Sequence, residues 1–345
     1  TQADQQLDRL RAGERRRAWV SVGAGFEHDT NVVLRGRGVT LPSDISDEAD
    51  QRGVWTANGG LELWKSDVAT LGAMASYRGT THVDLEEFNA HFPSVTVWLD
   101  GLVADRTRAR LRYDFGYAWL DTDPFVTTQN ALASIAHGWQ AGTTEIYGGS
   151  HYDEYFFESD DVQGGTVPAD CLGATLCGPA GIDESRERNR DGWGASAGLS
   201  HTVPIPTDAT PIGAASLRGG YRYAHYDSEG REYTHDTHEA LLGLAAELPL
   251  DVGLDATGVF AYKPYRHSST FPDPNELTPV PYMLSGKRRR ERVWHVATSL
   301  SRPISELVSV AARWRYTDHD SNTDVFDYAQ HVLGVYVTLG LGREL

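Results

Sequence analysis

The chain has 345 residues, a formal net charge of -17 and a mean hydropathy of -0.42. That acidity speaks against a nucleic-acid partner, whose phosphates need a basic surface. No run approaches the roughly 18 apolar residues of a membrane helix, which excludes a helical membrane protein but not a wall of strands, whose alternating faces average out as hydrophilic.

The first 17 residues, TQADQQLDRLRAGERRR, are polar and helix-prone. They are expected to form a helix-like leader, the tail of a helical domain, and Thr1-Gln2-Ala3-Asp4 reads as a processed or truncated start. From Ala18 the hydrophobic period is two. Fourteen strands are predicted, at 18–33, 53–65, 68–82, 91–104, 107–121, 126–140, 143–157, 190–204, 210–227, 237–248, 252–267, 290–302, 306–318 and 328–341. Tight turns at Lys65-Ser66-Asp67, Ala104-Asp105-Arg106, Gln140-Ala141-Gly142, Pro249-Leu250-Asp251 and Pro303-Ile304-Ser305, with Ile205-Pro206-Thr207-Asp208 slightly longer, alternate with longer connections at 34–52, 83–90, 158–189, 228–236, 268–289 and 319–327. Residues 122–125 form the shortest of the longer set.

The best strands declare their faces. In strand five Ala109, Leu111, Tyr113, Phe115, Tyr117 and Trp119 lie opposite Arg108, Arg110, Arg112 and Asp114. In strand nine Ala215, Leu217, Tyr221 and Tyr223 lie opposite Ser216, Arg218 and Arg222. Strand eleven sets Val252, Leu254, Ala256, Gly258, Phe260 and Tyr262 against Asp255, Thr257 and Lys263. Strand thirteen sets Val308, Val310, Ala312, Trp314 and Tyr316 against Ser309, Arg313 and Arg315. Several Arg on one strand face cannot enter a dry sandwich core, where an unpaired charge costs several kcal/mol. A water-filled lumen removes that cost, whereas a soluble sandwich would have to place them on its outer face. The 16 Tyr and 9 Trp, often ending the apolar set, suit interfacial girdles.

Together these features predict an all-β fold: an antiparallel up-and-down transmembrane barrel of about fourteen strands spanning residues 18–345, in a bacterial outer membrane. Short turns are then periplasmic, long loops extracellular, and an even strand count puts both termini in the periplasm.

Arg108, Arg110, Arg112, Asp114, Arg218, Arg222, Asp255, Arg313 and Arg315 are the predicted lumen-lining residues. One reading is a basic ladder that holds or passes anions. The other is that the Arg pair with Glu27, Glu62, Asp100, Asp114, Glu145 and Asp255 and stiffen the wall. Cys171 and Cys177, six residues apart, point to a small disulfide more than to a metal site, since no further Cys or His cluster completes a zinc set. Asp318, Asp320, Asn322 and Asp324 place oxygens at alternate positions, as a calcium loop does, yet no Gly or distal Glu completes an EF-hand; a solvated loop is the competing reading. His151, Asp153 and Tyr155 share a strand face, without a nucleophile motif such as G-x-S-x-G, so no catalytic residues are assigned. Lys287-Arg288-Arg289-Arg290 at an outer rim would meet lipopolysaccharide phosphates, fold in as a plug, or stay solvated.

The opening Ala18 to Val32, AWVSVGAGFEHDTNV, resembles the first barrel strand of outer-membrane proteins that carry a periplasmic tetratricopeptide domain, among them the surface lipoprotein assembly modifiers. The resemblance implies a fourteen-stranded barrel acting as a conduit for an exported or surface-anchored client, with a periplasmic helical partner. The alternatives are a diffusion porin favouring anionic solutes and an outer-membrane hydrolase. Outer-membrane lipid and lipopolysaccharide are the expected surroundings.

Overall fold

A computed structural model describes residues 17–37, 48–156, 189–207, 212–268 and 286–344. Fourteen strands form one closed barrel: β1 (Arg17–Asp29), β2 (Asp50–Lys65), β3 (Ala69–His82), β4 (Ala90–Ala104), β5 (Thr107–Leu120), β6 (Asp123–Trp139), β7 (Gly142–Tyr155), β8 (Gly192–Ile205), β9 (Ala215–Ser228), β10 (His235–Leu248), β11 (Val252–Ser268), β12 (Arg288–Pro303), β13 (Val308–Ser321) and β14 (Tyr328–Glu344). Each strand pairs antiparallel with its sequence neighbours, and β1 closes on β14 from Arg17↔Glu344 to Asp29↔Val332. Closure leaves no unpaired edge, which is what lets strands span hydrocarbon. No helix among the described residues is long and apolar enough to cross a membrane.

The alternation sorts side chains in the inverse of a soluble protein. Along β14, Leu333, Val335, Val337, Leu339 and Leu341 are 48–60% exposed, while the intervening Tyr336 and Thr338 turn inward. Glu27 and Asp29, on the inner face of β1, have no exposed surface. A continuous apolar outer belt of this kind needs hydrocarbon to cover it. Its rims are aromatic: outward-facing Trp64 and Trp139 lie at the end of the short turns, and Trp55, Trp193 and Trp294 lie toward the long loops. Outward Tyr–His pairs on neighbouring strands continue that second girdle, with Tyr77 Oη 2.7 Å from His91 Nδ1 and Tyr221 Oη 2.8 Å from His238 Nδ1.

The strand boundaries fall within three residues of expectation except at the end of β1 and the start of β9. β1 stops at Asp29 instead of residue 33, because Asp29 accepts the Asn31 N–H and Asn31 Oδ1 accepts the Arg35 N–H, a local turn that competes with the ladder. β6 begins at Asp123, so the connection expected at 122–125 is only Asp121-Thr122. β9 begins at Ala215, not 210, and Pro206 and Pro211 in the connection have no N–H to give a ladder. At the β6–β7 turn Gly142 has φ +150°, and a Cβ there would lie 2.1 Å from the Thr202 carbonyl oxygen. Cys171 and Cys177, the leader through residue 16 and the Pro-rich stretch 271–282 lie outside the described residues.

Candidate luminal site

Strand parity points every predicted luminal residue inward, but they do not form a single ladder. At the short-turn end, Arg110 on β5 is forked onto Asp100 of β4, with Nε to Oδ1 at 2.5 Å and NH2 to Oδ2 at 3.0 Å. Arg218 on β9 donates to Ser200 Oγ at 3.1 Å and lies 3.6 Å from Glu145. Arg108 has no ion-pair partner among the described residues. These side chains border a cavity of about 580 Å³ that reaches across the inner wall to Lys65 and Thr202. One level up, Arg112 binds Asp114 at 2.7 Å, Asp114 accepts from Thr96, and Arg222 binds Glu239 of β10 at 2.8 Å. Asp255 is exposed to the lumen between Ala245 and Ser299 with no ion-pair partner among the described residues. Mid-wall, then, the stiffening network accounts for most of the guanidiniums.

Toward the long loops the balance changes. Arg52 on β2 binds Glu27 at 2.6 Å and Asp29 at 3.2 Å. Arg315 approaches the other Glu27 oxygen at 3.4 Å from β13, and Arg78 approaches it at 3.8 Å from β3. Arg313 lies over the Tyr336 ring at 4.5 Å, and the Tyr336 hydroxyl donates to Glu27. Three guanidiniums thus gather on two carboxylates, with Arg313 stacked beside them. Arg78 and Arg315 keep 48% and 44% of their side chains exposed, and with Arg313 they line a luminal cavity of about 110 Å³. Partly hydrated guanidiniums with spare donors can donate to an oxyanion or halide. Arg313 and Arg315 were expected in the lumen; Arg52, Arg78, Glu239 and Tyr336 were not singled out. On β2 and β3 Gly and Thr or Ala fall on both faces, which blurs the polar alternation around Arg52 and Arg78.

Three loops at this end, β3–β4, β9–β10 and β13–β14, pack over the wall at this level. Leu85, in the β3–β4 loop, is completely buried beside Asp50, whose Oδ2 accepts the Leu85 N–H at 3.0 Å and faces His82 Nδ1 at 3.2 Å. The β9–β10 loop brings Tyr233, and the β13–β14 loop brings Phe326, over Arg289 of β12. The Arg289 guanidinium is 3.7 Å from the Tyr265 ring centre, 4.1 Å from that of Phe326 and 3.2 Å from Glu291. Val293 and Ala261 beneath are 2% and 4% exposed, which an empty lumen would not allow. The two short loops and Arg289 therefore cover this sector of the wall.

His151, Asp153 and Tyr155 face the lumen as a structural cluster. His151 stacks on Tyr226 at 5.6 Å between ring centres, 3.8 Å from Asp153, and packs against Gly194. The calcium candidates do not converge. Asp318 accepts from Arg37 at 2.5 Å, and Asp320 lies 3.8 Å from Arg292. Asn322 uses its amide on the backbone of Arg288 and Arg290. Among the described residues no group of three or more His, Cys, Asp or Glu could hold a metal ion. Arg37, in the β1–β2 connection, bridges Asp318 near the end of β13 and Asp327 in the β13–β14 loop. The hydrogen bond to Asp318 raises its pKa, while burial and the neighbouring Asp320, Asp318 and Asp324 raise that of Asp327 despite the 2.8 Å Arg37 contact.

No protein-family model matches the chain, and no curated protein matches its sequence. Among solved structures it is similar to an anion-selective porin from Comamonas acidovorans, at 6% identity and TM-score 0.47 over 95% of this chain and 100% of that one. It is also similar to a bacterial polysaccharide outer membrane secretin, at 9% identity and TM-score 0.46 over 94% and 97%. A third is the translocator domain of the autotransporter NalP from Neisseria meningitidis, at 15% identity and TM-score 0.33 over 98% and 95%. At these identities the likeness concerns the barrel and not what passes through it.

Proposed function

We propose that the chain is a bacterial outer-membrane channel for small anionic solutes, with its short turns, the start of β1 and the end of β14 on the periplasmic side. One observation carries this reading: Arg78, Arg313 and Arg315 surround a luminal cavity around Glu27, a carboxylate already engaged by Arg52. The site holds more guanidinium than carboxylate, so an entering anion meets uncompensated donors, while a cation finds both carboxylates there already engaged. Shared, partly exposed ion pairs also exchange partners readily, as conduction requires. An export conduit is the competing reading. It rests on the likeness of residues 18–32, and in the folded chain Asp29 and Asn31 of that stretch tie down the β1–β14 seam, with Asp29 accepting from Gln330 at 3.0 Å.

Planar-bilayer recording across a KCl gradient tests the proposal. The expected result is a stable conductance whose reversal potential has the sign of chloride preference, moving toward zero in the R78Q/R313Q/R315Q variant. A barrel that stays closed without a client, or a reversal potential indifferent to the three substitutions, overturns it.

A further inference from the structure

The run Lys287-Arg288-Arg289-Arg290 is divided by the strand. β12 turns Arg289 inward to 9% exposure and leaves Arg288 and Arg290 facing out, in line with Arg292, Trp294, Val296 and Leu300. Three guanidiniums thus stand above the outer girdle at alternate positions, about 7 Å apart along the strand. The Arg288 and Arg290 guanidiniums have no ion-pair partner among the described residues. Arg292 is 67% exposed and only loosely paired, 3.8 Å from Asp320. Arg266 on β11, the neighbouring guanidinium, is committed to Asp236 by two hydrogen bonds of 3.0 Å.

Below the charges the wall is shaped. Trp294 leans on Phe260 with ring centres 4.7 Å apart. One step deeper Val296 pairs with Gly258, where an added Cβ would find nothing within 4 Å. The same face therefore runs from exposed guanidiniums, through an aromatic ledge, to an open apolar groove.

We propose that this face of β11 and β12 seats a phosphate-bearing, multiply acylated glycolipid of the outer leaflet, such as lipid A. Its phosphate binds Arg288, Arg290 and Arg292, and an acyl chain lies along Gly258 and Val296. Guanidiniums fork onto phosphate oxygens, and their attraction strengthens at the low-dielectric headgroup boundary. The seat needs a lipid-covered wall but not the selectivity proposed for the lumen, so the two can fail separately.

The test is retention of lipid A by the purified full chain through detergent exchange, after incubation in phosphatidylcholine vesicles containing lipid A or its dephosphorylated form. The intact chain should retain lipid A and not the dephosphorylated lipid. The R288Q/R290Q/R292Q variant, checked for folding by heat-modifiable gel mobility, should retain roughly a hundredfold less, at about fivefold per guanidinium. R290Q alone should lose about fivefold, which keeps the test intact if the triple variant does not fold. R302Q, on the same face at the opposite end, should retain lipid A as the wild type does. Equal retention of both lipids, an equal loss in R302Q, or displacement of lipid A by millimolar inorganic phosphate would each overturn the proposal.

Discussion

Arg52 grips Glu27 from the adjacent strand with two donors on one carboxylate oxygen, Nε at 2.7 Å and NH2 at 2.6 Å. Glu27 has no exposed surface, and the Arg52 side chain is only 13% exposed. The pair sits beside the β1–β14 seam, where the barrel closes between its two chain ends.

Removing one member should therefore cost far more than a surface ion pair. Arg52→Ala strands a buried carboxylate with more distant partners and is expected to lower unfolding free energy by about 3 kcal/mol. Urea unfolding in vesicles, followed by tryptophan fluorescence, measures this. A loss below about 0.5 kcal/mol, the scale of an exposed pair, would show that the site is solvated.

Arg289 joins two loops to the wall. In Arg289→Ala the cation–π contacts to Tyr265, Phe326 and Tyr233 disappear, each worth about 0.5–2 kcal/mol. Limited proteolysis should then cut faster near 231–233 and 324–326, and conductance should rise as the covered sector opens. Unchanged protection of both loops would contradict the bridging role.

Gly194 is there for close approach. A Cβ at 194 would lie 1.8 Å from His151 Cε1, so Gly194→Ala should cost about 1–3 kcal/mol by displacing the ring from its stack on Tyr226. The double variant G194A/H151A should recover most of that loss. Failure to recover would place the strain in the backbone.

Asp327 sets a weak pH dependence. Its raised pKa means the folded chain holds that proton more tightly than the unfolded one does. Its contribution is fully present below the ordinary carboxylate value near about 3.9 and is lost as pH rises through the raised value. Asp327→Asn should thus leave stability at low pH nearly unchanged and raise it at neutral pH by a few tenths of a kcal/mol, roughly the scale of a surface charge. Melting temperature against pH for the two proteins checks the sign.

Strand number, order and facing were legible because every strand answers to one simple rule, apolar toward lipid and polar toward the lumen. β5, β9 and β13 followed it most openly, with Arg facing Tyr and Leu. Arg52, Arg78 and Glu239 were harder to pick out because Gly and Thr neighbours weaken the alternation. The convergence on Glu27 was not legible at all, since it brings together β1, β2, β3, β13 and β14, and curvature, not sequence spacing, decides which side chains meet. Arg289 shows the same limit: four consecutive basic residues read as one patch until the pleat sends alternate members to opposite sides.

The account stands on which side of the wall is wet. Single cysteines at Val335 and Thr338 of β14, in a chain with Cys171 and Cys177 replaced by Ser, measure it directly. In vesicles, a membrane-impermeant maleimide should label position 338 and spare 335, while a label at 335 should be quenched by nitroxide-bearing lipid. Labelling of 335 from water together with protection of 338 would contradict the account.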